Sequence, residues 1–174
     1  EVREASSQIV ATALSTQVRF KKQVQAWKNI LLRGQEPALF NQYLAQFEQA
    51  EESTRTSMRH LIELLGENLE AHETAGQFLE AHTRLGEEYR AALGQHQLSA
   101  QGEPMGVDEK VRGIDRRPTD LLDEVVNAAL AHKNLTLADI DVSIARVERR
   151  IFLIMVGIMT GTVALLILLV DRTI

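Results

Sequence analysis

The chain has 174 residues, a net charge of −5 and no cysteine. An acidic balance argues against general nucleic-acid binding, which needs cations to neutralise phosphates. The absence of Cys excludes disulfides, thiolate catalysis and cysteine metal sites, and it leaves the compartment open.

Residues 1–33 place Val10, Ala13, Phe20, Val24, Trp27 and Leu31 at alternating steps of three and four, with Gln17 as a polar member of the same seam. That spacing is one face of a packed helix. Gln17 reads either as a hydrogen-bonded core residue or as a polar residue that sets the register of a dimer. Gly34 is expected at the left-handed C-cap position, and Pro37 opens the next helix in its first turn. A connection of about three residues makes that helix antiparallel to the first. The chain begins at Glu1, not Met, inside a helical pattern. An upstream signal segment or first membrane span is therefore expected, and a cytoplasmic portion is expected after Ile174.

Helix 2, residues 37–65, repeats the spacing with Phe40, Leu44, Phe47, Met58, Leu61 and Leu65. Glu51 and Thr54 interrupt its middle. They read either as the lining of a polar pocket or as a place where packing loosens and water enters. Helix 3, residues 69–97, aligns Ala71, Ala75, Phe78, His82, Leu85, Tyr89, Ala92 and His96. Gly76, Gly86 and Gly94 each lower its helicity by ~1 kcal/mol relative to Ala. Residues 98–117 form one long connection containing Gly102, Pro104, Gly106 and Gly113. Connections of this length are usually functional or mobile.

Helix 4 starts at Pro118 and runs to residue 150 along the seam Leu122, Val126, Ala129, Lys133, Leu137, Ile140, Ile144, Val147 and Ile151. The step from Lys133 to Leu137 is a stutter in the heptads. No proline or glycine then intervenes before the uncharged run IFLIMVGIMTGTVALLILLV, residues 151–170. Twenty helical residues span ~30 Å, the thickness of a bilayer's hydrocarbon core. Arg146, Arg149 and Arg150 precede the run, and Asp171 and Arg172 follow it. A buried core helix is the competing reading. Gly157 and Gly161 have the small-xxx-small spacing that lets membrane helices approach closely, in a dimer or against a first span. The expected fold is all-α: an antiparallel up-down-up-down four-helix bundle over residues 1–150, whose fourth helix continues into a transmembrane helix at 151–170 and the start of a cytoplasmic linker at 171–174.

Antiparallel helices bring the C-terminal end of helix 1, with Lys28 and Arg33, to the entry of helix 4, with Arg112, Arg116 and Arg117. Guanidinium groups gathered there suit a carboxylate or phosphate, and the helix 4 N-terminus adds a favourable dipole. The competing reading is a solvated charged surface with Asp115 and Asp120 as partners. His60, His72, His82, His96 and His132 form no HxxxH or HExxH pair, so no metal or cofactor is expected. No GxSxG, P-loop or GxGxxG occurs, and the carboxylates sit at helix-surface spacing beside Lys and Arg. An enzyme is not expected.

Three stretches carry a family resemblance: FKKQVQAWKNILLRG (Phe20 to Gly34), EPALFNQYLAQFEQAE after it, and VRGIDRRPTDLL (Val111 to Leu122). With the apolar run and the DRTI that follows, which is similar to a second membrane helix entering a HAMP linker, the chain resembles the extracytoplasmic sensor region of bacterial transmembrane receptors. The likeness is to the four-helix-bundle kind found in methyl-accepting chemotaxis proteins. The resemblance implies a homodimer formed mainly through helix 1, in the bacterial inner membrane, with residues 1–150 periplasmic. It implies a small ligand, or a ligand-loaded binding protein, engaged near the membrane-distal end, and signalling by a small axial shift of helix 4. Sensor histidine kinases carry similar bundles. A cytosolic helical interaction protein with a C-terminal anchor is the other reading, which the three Arg before the apolar run favour.

Overall fold

The computed structural model describes the backbone of residues 2–66, 70–98 and 111–171, and the side chains of residues 2–66, 71–94 and 111–162. Four long α-helices account for nearly all of it: α1 (Val2–Arg33), α2 (Pro37–Leu65), α3 (Glu70–Leu98) and α4 (Arg116–Asp171). No strand occurs among the described residues. Among the described residues the expectation of an all-helical chain is met; α1 ends at Arg33 and α2 runs Pro37–Leu65, as expected, and α4 begins two residues before Pro118. Most of the long connection, residues 99–110, lies outside the described residues, as does the side chain of His96.

Helix ends are set by backbone chemistry. Pro37 stands at the start of α2, where its missing N–H costs nothing. Gly66 ends α2 with φ 62°, and its N–H donates to the Ile62 carbonyl at 3.2 Å. Gly34 differs from expectation, because it is absent from the left-handed glycines. It is needed for a close approach instead: a Cβ there would collide with the Ile30 carbonyl oxygen. Gly113, at φ 81°, turns the chain into α4.

The chain divides into two compact units, Glu1–Lys133 and Asn134–Ile174. In the first, all four helices contribute to one apolar core. Trp27, Phe47 and Tyr89 form its aromatic layer. The Trp27 and Tyr89 rings stack at 4.1 Å between centroids, and Phe47 meets Tyr89 edge-on at 5.9 Å. Such pairs contribute ~0.5–1.5 kcal/mol beyond the area they bury. A second layer joins Phe20 edge-on to Phe78 at 5.7 Å. From α4 the core takes Leu121, Leu122, Val125, Val126 and Ala129.

The second unit is helical through Asp171, and its apolar residues Ile151, Phe152, Leu153, Ile154 and Met155 are each more than half exposed. Among the described residues no helix is long and apolar enough to cross a membrane. The side chains of residues 163–170, which complete the expected span, lie outside those described.

Candidate functional site

The buried face of α1 follows the heptad Ala13–Thr16–Phe20–Gln23–Trp27–Ile30. At two steps it takes the polar residue, Thr16 and Gln23, where apolar counting selects Gln17 and Val24. Gln17 is half-buried and donates from Nε2 to Asp123 Oδ1 on α4 at 2.6 Å. It is thus engaged within its own chain rather than in the core seam.

Each of the two polar residues so buried is hydrogen-bonded to another helix. Thr16 and Ser57 hydroxyls meet at 2.7 Å, joining α1 to α2. Gln23 on α1 and His82 on α3, both wholly buried, are joined at 2.6 Å between Oε1 and Nε2. A carbonyl oxygen only accepts, so His82 donates from Nε2 and carries its lone pair on Nδ1. Burial between Phe20 and Phe78 penalises the imidazolium and lowers the His82 pKa from 6.5 to about 4. The nearby Glu51 carboxylate opposes the shift only in part. Gln23 Nε2 and His82 Nδ1 are buried without a protein partner.

Glu51 explains the interruption in α2. Its carboxylate, 5% exposed, accepts from both terminal nitrogens of Arg90 on α3, while Arg55 stands 3.9 Å away. This bidentate pairing holds Arg90 protonated more firmly than usual, with its guanidinium over the Phe47 ring, 5.7 Å from the centroid. Gly86 makes room, since a Cβ there would overlap the Glu51 carboxylate. Thr54, also buried, donates to its own helix at the Ala50 carbonyl, 2.7 Å away. Both members of the interruption are therefore satisfied inside the core. Gln23 and Arg90 were missed in the sequence. The seven-residue repeat of Ala13, Phe20 and Trp27, which leaves two seams open, is the signal that admits Gln23.

The five basic residues expected at one site are all exposed. Lys28 lines a groove between α1 and α4, together with Lys21, Asp115 and Asp123. Arg117 lines a different groove, between α3 and α4, with Glu80, Arg84 and Glu88. Arg116 stands against Gly113, its Nε 3.3 Å from where a Cβ would lie. Arg33 ends α1, and Arg112 is in the turn before α4. Neither α4 groove is lined by a second member of the five, and each contains two carboxylates. Gly157 and Gly161 meet nothing within 4 Å at their Cβ positions. Among the described residues no group of three His, Asp or Glu stands ready for a metal.

No family model matches the chain, and no solved structure matches it significantly. Over 126 residues, 70% of its length, the chain is 33% identical to the methyl-accepting chemotaxis protein CtpH of Pseudomonas aeruginosa. It is a distant relative of a chemotaxis receptor. The match spans 22% of that receptor, so the chain covers about a fifth of its relative. The likeness to CtpH supports a chemoreceptor-related role for this bundle.

Proposed function

We propose that the chain is the ligand-sensing part of a bacterial chemoreceptor, an up-down-up-down bundle in the periplasm joined by α4 to an inner-membrane span at residues 151–170. The similarity to CtpH carries this reading. The contacts are in keeping with the helix order: Trp27 meets Phe47 while Thr16 meets Ser57, and Phe20 meets Phe78 while Trp27 meets Tyr89. The uncharged twenty-residue run supports the span. The receptor is a homodimer, with Gly157 and Gly161 in close helix packing. Occupancy by a small ligand, free or presented by a binding protein, biases two packings of α4 and displaces it slightly along its axis. A tenfold difference in affinity between the packings is worth ~1.4 kcal/mol, enough to tip a balanced pair. Lys28, Arg33, Arg112, Arg116 and Arg117 supply positive charge that attracts an anionic ligand. The bundle itself performs no catalysis and holds no cofactor.

Replacing the matching part of CtpH with this chain tests the reading. The chimera is expected to reach the membrane and to change swimming bias in response to some small metabolite. A chimera that is inserted and stable, yet silent to a broad metabolite panel, overturns it. Because the chain lacks Cys, single cysteines at Asn41 and Thr173 also test topology in cells. A membrane-impermeant maleimide should label Asn41→Cys alone. The reverse pattern would favour an anchored cytosolic bundle, the orientation the Arg146, Arg149 and Arg150 cluster suggests.

A further inference from the structure

Six polar side chains are buried among the described residues: Ser6, Thr16, Gln23, Glu51, Thr54 and His82. Four of them are satisfied. Ser6, Thr16 and Thr54 donate to carbonyls of their own helices, and Glu51 is held by Arg90. The other two are joined to each other and still leave polar atoms over, Gln23 Nε2 and His82 Nδ1. Buried polar atoms are nearly always paired, so an orphan needs a reason.

Because Nε2 carries the hydrogen, Nδ1 is the basic nitrogen of the His82 ring. A proton arriving there makes a new N–H donor on a cation, and no protein group meets that atom. Apolar rings flank it, Phe20 on α1 at 5.9 Å and Phe78 one turn back on α3 at 5.4 Å. The strongest charges on the ring are Glu51, Glu52 and Arg55 of α2 and Arg90 of α3; the carboxylates favour the proton and the guanidiniums oppose it. α1, which meets the ring with Gln23 and Phe20, and α4 supply none of these four. Glu51 acts most strongly, but its oxygens already accept from Arg90, and Arg55 stands 3.9 Å away. The charged ring is therefore solvated only by water, and water reaches Nδ1 when α1 and α3 part.

We propose that His82 is a proton-binding site through which the bundle senses external acid: uptake of a proton at Nδ1 favours a packing in which α1 and α3 have separated around residues 23 and 82. The inference rests on the sensing reading, which supplies the two packings, and adds the proton as a ligand. In the closed packing the ring has a pKa of about 4, against an ordinary 6.5 once solvated. The opened packing thus binds the proton first. The closed one is favoured above pH 6.5 and loses that advantage as pH falls towards 4. Linkage makes the open-to-closed ratio rise about 30-fold between pH 7.5 and pH 5.

Hydrogen exchange of the full chain in detergent, corrected for intrinsic exchange rates, measures that ratio. Protection over residues 16–27 and 78–89 should fall about 30-fold between those pH values, and protection in α2 by less than about threefold. His82→Gln keeps a donor towards Gln23 and should remove the fall. Gln23→Glu keeps the ring and gives its proton a carboxylate inside the closed packing. It should remove the fall as well, and it decides the matter if His82→Gln does not fold. His60→Gln and His72→Gln should leave the fall in place; His72 is the stringent control, because its Nδ1 is also buried without a partner. A fall shared equally by all four helices is plain acid unfolding and overturns the site, as does a fall that survives in His82→Gln or Gln23→Glu. In the CtpH chimera, a step from pH 7.5 to pH 6 should change swimming bias, and His82→Gln should abolish that change. A chimera that answers a metabolite but not the acid step overturns the proton site and leaves the sensing reading standing.

Discussion

At the scale of single residues, volume decides the sign of a substitution. Gly86 and Gly94 both sit within α3 and look alike in the sequence. A methyl group at Gly94 meets nothing within 4 Å, while one at Gly86 meets the Glu51 carboxylate and Arg90 Nη1. Gly94→Ala should therefore stabilise the chain by up to ~1 kcal/mol through helix propensity. Gly86→Ala gains the same propensity but must expel a buried carboxylate from its pairing, and should lower the melting temperature. Thermal unfolding of the two variants side by side checks the opposite signs. His82 gives a second test. Its folded-state pKa of about 4 lies below the unfolded value of 6.5, so the unfolded chain binds the proton first. This contribution is fully present above pH 6.5 and is lost as pH falls from there towards 4, by roughly 3 kcal/mol in all. Urea unfolding at stepped pH should show that slope, and His82→Gln should flatten it.

At the scale of helices, the aromatic layer ties α1, α2 and α3 together. Trp27 is 2% exposed and touches both Phe47 and Tyr89. Trp27→Ala should cost ~3–5 kcal/mol, the usual range for a large buried aromatic. That is a large share of the ~5–15 kcal/mol available to a domain. Denaturant unfolding followed by circular dichroism measures it, and Trp27→Phe should recover much of the loss. The emission of Trp27, the chain's one tryptophan, separately reports unfolding of the parent protein. The helices themselves were legible, because the 3-4 spacing is a property of each segment alone. The rotation of α1 about its axis was not. Neighbouring positions lie ~100° apart around a helix, so Gln23 and Val24 compete for one inward site. Only the partner, His82 on α3, selects Gln23.

At the scale of the whole molecule, the proposed receptor needs its apolar run to pack against another helix. Gly157 and Gly161 have open Cβ positions within this chain. Replacing both by Leu should weaken cross-linking between copies in membranes several-fold, on the order of the ~1 kcal/mol seen for membrane helix contacts. An unchanged cross-linking yield would remove these glycines from the proposed packing. At the same scale the expected basic residues divide between grooves. Lys28 and Arg117 were expected to converge because antiparallel helices bring their ends together. Grooves, however, lie between particular helix pairs, and these two residues line different ones.

The chain by itself settled what is periodic or contiguous: the long helices of the described residues, the junction between α1 and α2, an acidic balance, and an uncharged run of bilayer length. Each of these is local, since it depends on residues a few positions apart. Tertiary structure alone decided that Glu51 pairs with Arg90 across the space Gly86 leaves, and that Gln23 and His82 share the core. Those partners stand on different helices. What brings them together is the rotation and spacing of packed cylinders, which no single segment encodes.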